Sequence, residues 1–174
     1  MKGSALILTG FMGCGKTTVS QILAEKTGRR LIDSDEQIER EQGISISEIF
    51  KTSGEAAFRE METGLLKRLN EESFDGILSC GGGMPLREEN RELLSRLGTV
   101  FYLRAGAEAI AERLSGDSSR PLLAGLDEDE KVGKIRDMLS AREEAYESGA
   151  DHISDTTGRS PKEVASCILA CFQL

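Results

Sequence analysis

No apolar run in this 174-residue sequence approaches the roughly 20 residues that a membrane-spanning helix needs; stretches such as 5–8 and 99–103 are far shorter. Residues 1–9 also lack the layout of a signal peptide, so a cytoplasmic chain with no membrane contact is expected. Histidine occurs once, at His152, and Cys14, Cys80, Cys167 and Cys171 fall at spacings that match no zinc pattern. A metal–thiolate centre is therefore not expected, and the cysteines are read as reduced. Cys167 and Cys171, four apart on one helix face, are read as small buried hydrophobes. Basic residues are in deficit, 22 against 30 acidic, and a net charge of −8 argues against nucleic-acid binding. An anionic ligand would need a local reversal of sign, for which Lys16, Arg59, Arg113, Arg120, Arg142 and Arg159 are the candidates. The sequence shows no internal repeat, low-complexity stretch or linker.

What is present is the alternation of short β-prone runs and longer helical patterns typical of βαβ units. Length and a hydrophobic content of 39% suit one α/β domain. Strands are expected at 5–9, 31–33, 77–80, 99–103 and 152–154, giving a five-stranded parallel sheet covered by helices on both faces. From Lys16 an apolar stripe of Val19, Ile22 and Leu23 predicts a helix that Gly28 terminates. Residues 36–72 are helical in character, with Ser45 and Glu48 in capping-box spacing and Phe58, Met61, Leu65 and Leu69 on one face. That stretch is long for a simple crossover and reads as a substrate-binding insertion. Helices follow at 88–97 and 107–114, then an aperiodic segment, then an acidic helix over about 127–148. A last helix opens with Ser160 as cap, Pro161 at its first position and Glu163 at its third.

The chemistry starts at Gly10-Phe11-Met12-Gly13-Cys14-Gly15-Lys16-Thr17, which fits G-x-x-x-x-G-K-[ST] between a strand and a helix. Glycines let backbone N–H groups turn around phosphate oxygens and the helix N-terminus adds partial positive charge. Gly13, Cys14, Gly15, Lys16, Thr17 and Thr18 are thus the expected nucleotide cradle, with Lys16 reaching the β- and γ-phosphates and Thr17 offering a hydroxyl to magnesium. Asp33 and Asp35, two apart in an extended segment, should point to one side, either as a solvated turn or as ligand groups at the carboxyl end of a strand. Arg59 lies between Glu55 and Glu62 at helical spacing, which a surface salt-bridge cluster would also explain. Gly81, Gly82 and Gly83 form a turn after a strand or a wall that a substrate can approach closely. Arg120-Pro121-Leu122-Leu123 is either a surface loop or a mobile lid carrying a cation.

Taken together, Gly10 to Thr18, the Asp-Ser-Asp at 33–35, Phe-Arg-Glu-Met-Glu at 58–62, Leu-Ser-Cys-Gly-Gly-Gly at 78–83, Arg-Pro-Leu-Leu at 120–123, and Arg142 with Tyr146 resemble the shikimate kinases over nearly the whole chain. The resemblance implies transfer of the γ-phosphoryl of ATP to the 3-hydroxyl of shikimate, in aromatic amino acid biosynthesis. It implies a P-loop, nucleoside monophosphate kinase-like three-layer α/β/α fold, with a core of 1–32, 77–112 and 127–174, a substrate-binding insertion at 33–76 and a lid at about 113–126. On matching positions, Asp33 resembles the magnesium-linked aspartate and Asp35 the one contacting the acceptor hydroxyl. Arg59 and Arg142 resemble the carboxylate clamp, with Glu62 orienting it, and Gly81 to Gly83 the backbone wall. Arg120 resembles the lid arginine, and Arg113 and Arg159, with Pro161, the residues flanking adenine. The chain departs from the family at Glu144, where members commonly have proline. ATP, shikimate and Mg2+ are the implied partners of a monomer. A gluconate kinase-like enzyme is the competing reading. A nucleotide kinase would need a second base pocket, and aromatic residues make up 5% of the chain. A guanine-nucleotide switch would carry Asn-Lys-x-Asp, whereas Asn70 and Asn90 are followed by glutamate and arginine.

Overall fold

Strand β1 (Ala5–Thr9) is buried along its whole length and forms the middle of the sheet. In the computed structural model, which describes residues 2–115 and 125–172, it pairs in parallel with β3 (Ile77–Ser79) on one side and β4 (Gly98–Arg104) on the other. β2 (Leu31–Asp33) joins the β3 edge and β5 (His152–Asp155) the β4 edge, giving the all-parallel order β2-β3-β1-β4-β5. All five strands expected from the sequence are present. Burial on both faces explains why they read as continuous apolar runs. The period of two then divides β1 between two cores: Leu6 and Leu8 face one cluster with Val19, Leu23 and Ile168, while Ala5 and Ile7 face another with Leu65, Leu66 and Leu94.

Helix α1 (Lys16–Thr27) ends at Gly28, whose left-handed backbone returns its N–H to the carbonyl of Ala24 at 2.9 Å. Three helices fill the stretch between β2 and β3: α2 (Ser34–Gln42), α3 (Ile46–Thr52) and α4 (Gly54–Glu71). Ser45 caps α3 by accepting the N–H of Glu48 at 3.2 Å, and α4 buries Phe58, Leu65 and Leu69. α5 (Glu88–Leu97) and α6 (Ala107–Arg113) follow as expected.

The single acidic helix expected over 127–148 is instead two, α7 (Glu128–Ser140) and α8 (Glu143–Ser148). The chain turns at Ala141 and Arg142, where the Arg142 N–H bonds back to Leu139 rather than one residue further. No glycine or proline marks this corner, so the apolar spacing runs through it. The last helix, α9 (Pro161–Phe172), has the expected start: Glu163 Oε2 accepts the Ser160 N–H at 2.8 Å, and the Ser160 hydroxyl accepts that of Glu163.

Cys167 and Cys171 are exposed, not buried. α9 buries Val164, Ala165 and Ile168 and packs Leu169 and Phe172 against the core, leaving both thiols one position off that stripe. Among the described residues no helix is long and apolar enough to cross a membrane.

Candidate functional site

The carboxyl ends of β1, β2 and β3 open into a cavity of about 700 Å³, beside the point where the connections leaving the neighbouring strands β1 and β3 run to opposite sides of the sheet. Its floor is the loop 10–15 and the first turn of α1. Gly13 and Gly15 take positive φ values of 74° and 100°, which turn the loop back on itself ahead of Lys16. Cys14 is buried beneath it. Lys16 Nζ donates to the carbonyls of Gly10 (2.7 Å) and Phe11 (3.0 Å), with the Cys14 sulfur 3.6 Å away. Thr17 and Thr18 line the same cavity.

Asp33 and Asp35 both reach the cavity, but not by the extended alternation read from the sequence. α2 begins at Ser34, so Asp33 is its N-cap: one carboxylate oxygen accepts the N–H groups of Asp35 (3.0 Å) and Glu36 (3.3 Å), and the other accepts the Ser79 hydroxyl (2.9 Å). Asp35 stands in the first helical turn with its Oδ1 buried and without a partner. Burial, reinforced by the charge of Asp33 and offset by Lys16 and Arg59, pushes its carboxyl up to about 6.

Across from it, α4 presents Arg59 between Glu55 (3.0 Å) and Glu62 (2.8 Å). Glu62 is fully buried and its Oε1 has no partner; burial pushes it up to about 7 even against the pull of Arg59. The surface salt-bridge account of Arg59 therefore fits only its Glu55 side.

The glycine run fits between these groups. A Cβ on Gly81 would overlap the Asp35 carboxylate, and one on Gly83 would overlap the Arg59 guanidinium. The glycines thus make room first for the protein's own charged side chains. Ser34 holds the run by accepting the Gly81 N–H at 2.8 Å, and the Tyr146 hydroxyl donates to the Gly82 carbonyl at 2.6 Å. Arg142, at the α7–α8 corner, enters the cavity with its guanidinium 5.5 Å from the Phe11 ring centre. Glu144 occupies the first turn of α8, where a helix also tolerates proline.

At the opposite end Arg113 donates to the Thr156 carbonyl (2.8 Å) and hydroxyl (3.1 Å) and to the Gly13 carbonyl (3.2 Å), tying the phosphate loop to the end of β5. Arg159, Pro161 and Val164 complete that wall. Arg120 and Pro121 to Leu123, with most of the segment read as a lid, lie outside the described residues.

Five cationic side chains against three carboxylates line this one cavity of a chain whose net charge is −8, the local reversal an anionic ligand needs. The oxygen donors on the metal side are the Thr17 hydroxyl and the Asp33 and Asp35 carboxylates, a hard set that fits Mg2+. Among the described residues no three His, Cys, Asp or Glu side chains converge to hold a metal by themselves. Sequence reasoning assigned no role to Ser34, Ser79, Thr156 or Phe11. Ser34, Ser79 and Phe11 stand inside the quoted motifs, but all four act through contacts distant in sequence. Cys80 also lines the cavity, but burial pushes its thiol far up, so it offers no thiolate.

A sequence profile described as shikimate kinase matches residues 12–173. A shikimate kinase of Thermodesulfovibrio yellowstonii is 40% identical over 97% of this chain and 94% of its own length. One of Neisseria gonorrhoeae is 43% identical over 84% of each chain. The solved structure of shikimate kinase from Acinetobacter baumannii in complex with shikimate superposes with a TM-score of 0.87 at 36% identity, covering 98% of this chain and 93% of that one. A sugar kinase from Janibacter sp. matches with a TM-score of 0.63 at 19% identity, a likeness of fold alone.

Proposed function

The chain belongs to the shikimate kinase family, and from that premise we propose how its cavity divides the work of passing the γ-phosphoryl of ATP to the 3-hydroxyl of shikimate. The products are shikimate 3-phosphate and ADP, a step of aromatic amino acid biosynthesis. The observation that carries the division is the abutment of Asp35 and Arg59 on the 81–83 backbone, in the same cavity as the phosphate loop.

Gly13, Cys14, Gly15, Lys16, Thr17 and Thr18 cradle the phosphates, and Arg113 and Arg159 wall the adenine side. Arg120 is assigned to the lid over the phosphates. Thr17 and Asp33 would hold Mg2+, which supplies neutralisation of charge on the transferring phosphoryl group. Arg59 and Arg142 take the shikimate carboxylate, because planar guanidinium groups can bond a carboxylate through paired donors. Asp35, with one oxygen unpartnered, accepts the hydrogen bond of the acceptor hydroxyl and takes its proton late in the transfer. Glu62 holds Arg59 from behind, and Gly81, Gly82 and Gly83 pack against the substrate ring. Helices α2 to α4 form the acceptor-binding part, and 113–126 the lid. The reading is of a monomer acting in the cytoplasm on small molecules, and a net charge of −8 supports the part of it that leaves out nucleic acid.

ADP release with ATP and Mg2+ should be strong with shikimate and at background with gluconate, nucleoside monophosphates or no acceptor. Release with another acceptor alone would keep the phosphate loop and sink the shikimate assignment. Gly83→Ala offers a finer check. Its methyl group displaces Arg59, and a misplaced positioning group costs on the order of 10–100-fold. That loss should appear as a raised KM for shikimate with the KM for ATP nearly unchanged in steady-state kinetics.

A further inference from the structure

The backbone of the glycine run has four polar groups whose bonds can be traced: two stay in the turn that follows, one goes to α2 and one to α8. The Gly81 carbonyl accepts the Met84 N–H (3.1 Å) and the Gly83 carbonyl accepts the Leu86 N–H (3.1 Å), both inside the 3-10 turn that follows. Gly81 N–H goes to Ser34. The Gly82 carbonyl instead accepts the hydroxyl of Tyr146, 64 positions away on α8, at 2.6 Å.

Tyr146 is fully buried. Its ring stacks on Tyr102 of β4, with centroids 5.1 Å apart and planes 25° apart, which fixes the direction of the hydroxyl. Its backbone N–H bonds to the Arg142 carbonyl at 3.1 Å, closing the turn that begins α8. The phenol is pushed up to about 12 by burial, against the pull of Arg142, so it stays protonated and donating across the working pH range. A phenylalanine would fill the same space and keep the stacking. The hydroxyl therefore does something packing does not require.

We propose that Tyr146 is a positioning residue that couples the glycine wall to the Arg142 corner, so that both sides of the acceptor pocket are held in one register. The peptide it grips lies between Gly81, against which Asp35 packs, and Gly83, against which Arg59 packs. A single hydrogen bond thus sets the wall shared by two acceptor-contacting side chains relative to a third. Gly82 and Arg142 also lie beside the phosphate loop, but that loop is held by the bonds of Lys16 and Arg113 to its carbonyls, so the main effect is expected on the acceptor.

This inference rests on the acceptor reading above, and the test separates the two. Wild-type turnover with shikimate and the other acceptors tests the reading; the ratio of Tyr146→Phe to wild type, measured on whichever acceptor the wild type uses, tests the coupling. Tyr146→Phe should raise the acceptor KM about tenfold, the scale of a lost hydrogen bond that leaves its acceptor unpaired. The KM for ATP should stay within about twofold. In an Arg142→Ala background the same substitution should have a clearly smaller effect, because one of the coupled sides is gone. An unchanged acceptor KM in Tyr146→Phe overturns the proposal. So does a rise in both KM values in parallel with a fall in melting temperature, which is what a purely structural role predicts. Equal effects with and without Arg142 would also overturn it.

Discussion

Asp35→Asn should lower kcat by about 10²–10⁴-fold, the range typical of losing a general base, while ATP affinity stays close to wild type. The substitution keeps size and one carbonyl oxygen, so it removes the proton acceptor with little change in packing. Asp35 is separated from the phosphate cradle in the chain and stands on α2, whose capping by Asp33 does not need the Asp35 side chain. Nucleotide titration of the variant should therefore look ordinary. Wild-type turnover in Asp35→Asn would leave the residue with no part in proton transfer.

The same group should also set the acidic limit of activity. Its carboxyl is raised, first by burial and then by Asp33, to about 6. The working form is the carboxylate, so kcat/KM should fall as pH drops through about 6 rather than about 4. Stability runs the other way. A carboxyl whose folded-state pKa lies above its unfolded value contributes stability that is complete below the unfolded pKa and is lost as pH rises through the folded one. For Asp35 that window runs from 3.8 to about 6, and for Glu62, raised mainly by burial, from 4.5 to about 7. These two groups therefore weaken the substrate-free protein as pH rises from about 5 to 7, in the range where activity appears. The melting temperature of Glu62→Gln should depend less on pH over that interval than that of the wild type. Holding buried carboxylates ready for a cationic or hydroxyl partner costs stability, as expected where perturbed titrating groups cluster.

The fold was legible because the strands of a parallel sheet, buried on both faces, announce themselves as short apolar runs, and the glycines and caps between them are local signals. Helix α2 starts two residues before the expected 36 because Asp33 caps it three residues ahead of Glu36, a local signal that the Asp-Ser-Asp pattern obscures. The corner at Arg142 had no local signal, since neither glycine nor proline marks it. It is held by packing, with Tyr146 stacked on Tyr102 beneath it. In α9 the stripe 164, 165, 168, 169 and 172 excludes Cys167 and Cys171, whose four-residue spacing means a shared face and not a buried one. For the site, the sequence pointed to the phosphate loop, Asp33, Asp35, Arg59, the glycine run and Arg142, which do line the cavity, but not to Ser79 or Thr156, and Arg120 lies outside the described residues. The sequence could not show that Gly81 and Gly83 are small because Asp35 and Arg59 occupy the space, a relation spanning 46 and 24 positions. Nor could it show that Ser34 and Tyr146 reach the same run from 47 and 64 residues away.

Arg59→Leu should damage two properties that can be separated by a second substitution. Losing one member of the paired donors should raise the shikimate KM by about 10²–10³-fold, the scale for truncating one side of a charged, hydrogen-bonded contact. It also strands Glu62, which is fully buried and already has one oxygen unpartnered. Removing one partner of a buried pair costs about 3–5 kcal/mol of stability. Glu55 does not share that cost, because its side chain is exposed and water takes over. The loss should grow with pH, since Arg59 is what holds the Glu62 carboxyl down to about 7; without it the proton is held more tightly, and ionising the group costs more. Urea unfolding midpoints at pH 6 and pH 8 would show this as a larger deficit at the higher pH. Arg59→Leu with Glu62→Leu replaces the stranded pair by apolar groups and should recover most of the stability while leaving the shikimate KM as high as in the single variant. Recovery of both together would mean that Arg59 serves the fold rather than the carboxylate. Recovery of neither would mean that the cost lies in displaced packing around Phe58, against whose ring the guanidinium rests at 5.4 Å.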